Sequence, residues 1–449
     1  MAAPTDLQIA VNVLAAKKPR YDTLYAYYDG FQPLRYSSEK LREIFSGLDA
    51  RFTENWCGVV VDSVLDRLAL RDVTAQNDDA TTALLQALRE QTGLVDDEYS
   101  IHEDVAVVGE AFVLAWPNED GTIGAYHNDP RLCHVQYDSA DPRRIAWGAK
   151  WWPDVEAGGV RLTMYYPDRF EYYVTKRTYK DNETPDAKAF EPYGDEPVMQ
   201  NEYGVVPMFH FRANRRGPKS QLANVIPVQD MLNKTLADMM VVGEFAAFPQ
   251  RYVISQAGIV NLQNNPNAIW DLVASDKDAQ PTTPGQFPAA SLDGYLSAIN
   301  RFSATIGTIS STPKHYFYGQ GGDPSGEALI AMEAPLNKKV ERLQSVLEPT
   351  WRDLYSFLAL LAGQTLPSQA IAANYEEPET VQPYTDALIT KTLVEAGEPL
   401  RTVLRDKGWS DDDLAQMDED MQTERVAQST YASAVLDVQQ RNFDQGNAI

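Results

Sequence analysis

Apolar positions recur along this chain in three successive regimes. The first is helical. Ser37 or Ser38 caps a run to about Leu48, and a second run from about Thr53 to Leu70 sets Trp56, Val60, Val64 and Leu68 at four-residue steps on one stripe. Thr81 to Thr92 is a further amphipathic helix, and Ser100 to Val108 continues the pattern until Gly109 stops it. The second regime is strand-like. Ala111 to Trp116 is a short apolar run followed by the turn residues Asn118 to Gly121 and then Ile123. Ile145 to Trp152, Val160 to Tyr166 and Phe170 to Thr175 are rich in β-branched and aromatic residues, and Pro167-Asp168 turns between the last two. Lys180 to Asn201 reads as a long polar loop, and Val205 to Phe211 as one more strand.

The third regime is long helices. One starts near Asn224, tolerates Pro227 in its first turn, and ends before Pro249. Arg251 to Ser255 and Ala268 to Val273 read as short strands, with a proline-punctuated loop over 275–290. The next helix carries Leu292, Tyr295, Ile299, Phe302, Ile306 and Ile309, spaced 3, 4, 3, 4, 3. That is a heptad seam, which suits either core packing within one chain or a narrow stripe laid on other helices. After a loop from Thr312 to Ser325, apolar residues step by three or four from Leu329 to Leu361, with Pro335 and Pro349 inside the pattern. Each proline removes a backbone hydrogen bond, so a long helix kinked near both is expected. The segment 380–449 is helical and acidic, with Ser410 capping a helix from about Asp411.

Composition narrows the chemistry. The chain has 449 residues, 39 Lys plus Arg against 64 Asp plus Glu, and a net charge of −25. That excess argues against a general basic surface for nucleic acid, and simple surface solvation accounts for most of it. Two cysteines, Cys57 and Cys133, exclude a disulfide framework and a multi-cysteine zinc site and suit a reducing compartment. Uninterrupted apolar stretches fall short of the roughly 20 residues of a membrane span, and the first twenty residues lack secretory-signal order.

The residues of catalysis are scarce in recognisable patterns. His127 and His134 flank Cys133 without metal-ligand spacing, and there is no GxSxG elbow. Gly321 to Gly326 has the glycine spacing of a phosphate loop, yet Glu327 and Ala328 stand where Lys and Ser or Thr are required. Glu103, Asp104 and Glu110 are nominal candidates for a carboxylate pair, as in an acidic carbohydrate-active hydrolase with a helical C-terminal domain. Two basic clusters run against the acid trend. Arg212, Arg215, Arg216 and Lys219 form one, and Lys338, Lys339 and Arg342 the other. Pairing between subunits is favoured for both over contact with a polyanion.

Several short pieces then recur in a telling order: Tyr27-Tyr-Asp-Gly30, Asn55-Trp-Cys57, Arg67-Leu68, Val206-Pro207, Gln229-Asp230, Asn233-Lys234, Thr312-Pro313, His315-Tyr316 and Pro324 to Ala328. The ordered set resembles the portal proteins of tailed bacteriophages, most closely the subfamily common in long-tailed phages of actinobacteria. The resemblance implies an α+β ring subunit with an α/β wing, two stem helices, a small α/β clip insertion, a long kinked helix and a helical crown. It assigns 1–220 to the wing, 221–247 and 291–310 to the stem helices, and 248–290 to the clip. It makes 311–325 the tunnel loop, 326–379 the kinked helix and wing return, and 380–449 the crown. It further implies a homo-oligomer, usually of twelve copies, that passes double-stranded DNA at one capsid vertex. The partners it implies are the large terminase, the major capsid and scaffolding proteins, and a head–tail connector or adaptor. The location would be the virion, and the host cytoplasm during assembly, with no membrane partner, cofactor, metal or catalysis. A head or tail structural protein other than a portal shares the ring but sets the long helices elsewhere. On the portal reading Lys314, His315, Gln320, Asp323, Ser325 and Glu327 lie nearest DNA, with Lys314 the candidate phosphate contact.

Overall fold

The computed structural model describes residues 4–35, 54–76, 78–154, 158–180, 183–247, 251–254, 283–286, 291–317, 326–378, 383–407, 409 and 413–423. The chain divides into two compact units, Met1–Glu379 and Thr380–Ile449.

The first unit begins with helices α1 (Asp6–Tyr28), α2 (Trp56–Leu65), α3 (Asp79–Gln91) and α4 (Leu94–Val107), with strand β1 (Leu70–Ala75) after α2. The strands that follow are β2 (Glu110–Pro117), β3 (Ile123–Asn128), β4 (Cys133–Tyr137), β5 (Ile145–Asp154), β6 (Gly159–Tyr165), β7 (Arg169–Thr175), β8 (Phe190–Pro192), β9 (Val198–Gln200) and β10 (Met208–Arg212). Helix α5 (Ile226–Ala247), strands β11 (Arg251–Ile254) and β12 (Thr283–Gln286), helices α6 (Asp293–Ser310) and α7 (Gly326–Leu361), and strand β13 (Ile371–Tyr375) complete it. The second unit holds α8 (Pro383–Glu395), α9 (Leu400–Asp406) and a helical stretch over 413–423.

Every strand pairing is antiparallel, and the central sheet has the order β10-β2-β3. The apolar run of β2 has a buried use for both faces. Ala111, Val113 and Ala115, with Phe209 and Phe211 opposite, pack under Ile101 and Val105 of α4 and Leu343, Trp351 and Leu358 of α7. Phe112 and Met208 point the other way and meet Val135, Tyr165 and Phe170 of the large sheet β4-β5-β6-β7-β8, to which β9 adds at β7. Helix α1 straps these layers together. Its Thr5–Gln8 capping box starts it, Ala10, Val11 and Leu14 pack on Trp147 and Trp151, and Tyr21, Leu24 and Tyr27 pack with α2 and α5.

Helix α7 runs 36 residues, through Pro335 and Pro349. Nine of its apolar side chains from Leu336 to Leu358 are buried. At about 2 kcal/mol each this burial outweighs the ~3 kcal/mol that each proline costs, so the helix continues.

Four expectations change in the fold. The helix expected over 53–70 ends at Leu65, and the chain turns into β1, which pairs with β13 at the far end of the unit. The loop expected over 180–201 returns twice to the edge of β7 as β8 and β9. The loop expected over 275–290 carries β12, the partner of β11. Helix α1 has no counterpart among the expected elements, although Ala10, Leu14 and Tyr21 keep its period. The helix expected over 37–48, the strand over 268–273 and the cap at Ser410 lie outside the described residues.

Candidate functional site

Helices α5 and α6 lie side by side and share one apolar cluster, in which Leu232 of α5 and Ile299 and Ile306 of α6 are buried. The base of α5 is fastened to the rest of the unit by polar side chains. Gln229 Oε1 accepts from the Trp56 amide at 3.1 Å, its Nε2 donates to the Glu54 carbonyl, and Asn233 Oδ1 accepts from the Glu54 amide at 3.1 Å. One turn around, Tyr27 donates its phenol to Asp230 at 2.5 Å. Burial pushes the Asp230 carboxyl up against that bond and the charge of Arg35, so this acid is held between opposing effects. Asn55 caps α2 through Gly58 N and donates to the Tyr28 carbonyl at 2.6 Å. The short motifs around residues 27, 55 and 229–233 therefore meet at one joint. No role was assigned to them from sequence, although Gln229 and Asn233 interrupt an apolar helix face at a spacing of one turn.

The seam of α6 is only partly realised within one chain. Ile299 and Ile306 are buried, Leu292, Tyr295 and Phe302 are half-buried, and Ile309 is 42% exposed. The buried line runs instead to Ser303, Gly307 and Ser310. A straight helix of 3.6 residues per turn drifts about 20° per heptad from a 3.5 repeat, which carries position 309 off the packed face. Phe317 takes the vacated side and crosses so close that a Cβ on Gly307 would lie 3.1 Å from its ring.

After α6 the chain turns through Ser311, at φ 62, into a 3-10 turn over Lys314–Tyr316. Lys314 is exposed. His315 instead turns back, with Nε2 3.6 Å from Glu333 of α7. Arg67 closes this second joint by donating to the Tyr316 hydroxyl at 2.7 Å and pairing with Glu333 at 3.4 Å. Gln320, Asp323 and Ser325 lie outside the described residues, and Glu327 falls in the first turn of α7.

The two basic clusters, 120 residues apart in sequence, converge beside α7. Arg215, Lys219, Lys339 and Arg342 line one concavity there, and Arg143, Arg212 and Arg215 line its neighbour. Arg216 and Lys338 are exposed outside that lining. Lys339 is engaged within its own chain. Its ammonium donates to the Ser310 carbonyl at 2.9 Å, at the C-terminal end of α6, and burial pushes its pKa down to about 8.

The family profile described as "Phage portal protein, SPP1 Gp6-like" matches residues 9–424. The chain belongs to that portal family. Its function is that of a phage portal protein at the genome-packaging vertex, a structural component of the virion that forms an oligomeric ring and meets DNA and capsid. No curated protein sequence matches the chain.

Portal proteins are structural rather than enzymatic, and the ionisable groups here are engaged accordingly. Glu110 is buried, which alone raises its pKa, but the Lys17 ammonium at 3.0 Å and bonds from His210 and Tyr21 outweigh burial and hold it well below the usual carboxylate range. His210 is itself lowered by burial, so it is neutral; Nε2–H donates to Glu110 at 2.9 Å and Nδ1 accepts from Tyr137 at 3.1 Å. Asp104 is likewise occupied, by His127 at 2.7 Å and by the Tyr25 phenol. Burial raises both thiols, Cys133 to about 12, which leaves neither a nucleophile. Among the described residues there is no group of three or more metal-ligating side chains, and no helix is long and apolar enough to cross a membrane.

Proposed function

We propose that α5 and α6 are the stem helices around the DNA channel, with 248–290 between them as the clip and 1–220 as the wing. Residues 311–325 form the tunnel loop, 326–379 the long helix and wing return, and 380–449 the crown. The observation that carries this reading is the pairing of α5 with α6 on either side of the β11–β12 insertion, rooted by the Gln229–Asn233 joint. A hairpin fastened at its base can present its outer faces to neighbours in a ring, and Leu296 and Ile309 of α6 are exposed.

The ring has twelve copies on this reading, and its clip receives the large terminase during packaging and a head–tail connector afterwards. Capsid and scaffolding proteins meet the wing. The order of the short motifs supports placement in the subfamily common in long-tailed phages of actinobacteria. A net charge of −25 per copy suits a conduit that passes DNA without gripping it, since acidic walls offer phosphate no counterion-releasing contact. Exposed Lys314 at the end of α6 is the exception and touches passing phosphate.

The test is the mass of the native assembly by light scattering, with negative-stain images of the peak. Particles of about 600 kDa, twelve times the 50.1 kDa chain, with a central hole are expected. A compact dimer with a deep cleft would overturn the reading.

A further inference from the structure

The groove beside α7 stands out against the charge of the molecule. Its two concavities, of about 450 and 600 Å³, share Arg215 and Val346 and so form one continuous trough. Arg143, Arg212, Arg215, Lys219, Lys339 and Arg342 line it, and Asp353 is its one carboxylate. Lys339 is spent on Ser310, and Arg212 lies over the Tyr137 ring at 4.2 Å. Arg143, Arg215, Lys219 and Arg342 have no ion-pair partner among the described residues, in a chain whose other cations make many such pairs. Close backbone packing fixes the segment that carries Lys219. Gly109, at φ +95, lets the 218–219 segment approach so closely that a Cβ there would meet the Lys219 nitrogen at 2.3 Å.

A second patch has the opposite character. The Tyr28 hydroxyl donates to Asp62 at 3.0 Å and lies 3.4 Å from Glu103, which places two carboxylates side by side at the surface. Asp29 adds repulsion to Glu103, and Asp66 adds it to Asp62. Large apolar side chains lie exposed close by in sequence, Phe31 at 60% just after α1 and Tyr99 at 53% on α4. Among the described residues neither patch has its charges matched by ion pairs; like charges gathered in this way raise the energy of the isolated chain, and each patch carries what the other lacks.

We propose that the Arg215–Arg342 groove of one copy receives the acidic patch around Asp62, Asp66 and Glu103 of the next copy, making the groove and the patch the two halves of a head-to-tail interface. A ring is built from such heterologous contacts, in which one surface meets a different surface on its neighbour. This rests on the ring reading above. A concave trough admits carboxylates carried on a folded surface, whereas a convex DNA duplex reaches only its rim.

The test uses full-length chains reversed on one side each: Arg215→Glu with Arg342→Glu, and Asp62→Lys with Asp66→Lys. All four positions are exposed, so both variants are expected to keep the wild-type circular-dichroism spectrum and melting temperature. Each variant alone should lose assembly, with the concentration for half assembly raised at least about ten-fold. Mixed in equal amounts, they should recover rings, because the acidic groove of one meets the basic patch of the other while the two unaltered surfaces also match. Wild-type rings together with rings from either variant alone, or no recovery on mixing, would overturn the proposal and leave the ring reading intact. Rings that persist but bind a duplex oligonucleotide more weakly when the groove is reversed would assign the groove to nucleic acid instead, and so also overturn it. A wild type that forms no ring at any concentration counts against the ring reading itself and takes this proposal with it.

Discussion

Individual side chains in this molecule are mostly explained by what burial does to their charge. The core of the first unit keeps Glu110 ionised because the Lys17 ammonium lies 3.0 Å away and His210 and Tyr21 complete the carboxylate's hydrogen bonds. Removing one partner would strand the other, at a cost of about 3–5 kcal/mol. His134 is different. Burial, helped by the Lys17 charge, pushes its pKa down to about 4, its Nε2 has no hydrogen-bond partner, and its ring meets Trp147 edge-on at 5.6 Å. A histidine lowered on folding binds its proton more readily in the unfolded chain. Its contribution to stability is therefore complete above the ordinary value of 6.5 and is lost as pH falls toward 4. His134→Phe should fold at neutral pH and flatten that limb by up to about 1.4 kcal/mol per pH unit, as measured by urea unfolding across the window. A limb unchanged in slope would show that His134 titrates normally.

At the scale of elements, the α5–α6 pair depends on its root. The amides of Glu54 and Trp56 find acceptors on Asn233 and Gln229. Gln229→Ala should remove the bonds to the Trp56 amide and the Glu54 carbonyl and cost about 1–3 kcal/mol. Hydrogen exchange at Trp56 should quicken while that of β2 stays as it was. Equal acceleration at both would mean that the joint is part of the global core and no local fastener. The base of α5 was readable only as a helix start. Polar residues at 229, 230 and 233 are consistent with a solvated face until the partner segment, 54–56, is known to lie against them.

For the whole molecule, acidity and ring formation belong together. A chain of net −25 must gather its few unpaired cations where another copy or another molecule can use them. Among the described residues the trough beside α7 does so, and Lys314 stands exposed at the end of α6. If Lys314 faces the channel, Lys314→Ala should leave ring mass unchanged and lower the yield of packaged genome. Normal packaging in such rings would remove Lys314 from the channel account.

The order of the three regimes, the length of the long helices, the heptad spacing, the lack of a catalytic pattern and the motif series that marks a portal were all determined by sequence alone. These are local or ordered features: helical period links residues three and four apart, and a motif series survives without knowledge of contacts. What tertiary structure decided is which distant pieces meet. Asn374 bonds Asp72 across 302 residues to close the β1–β13 pair, and Arg67 reaches Tyr316 across 249. The same holds for the groove, where Arg215 and Arg342 come together, and for Lys339, turned inward by a carbonyl at the end of another helix. A partner for a strand edge or a cation is set by chain path, to which local periodicity is blind.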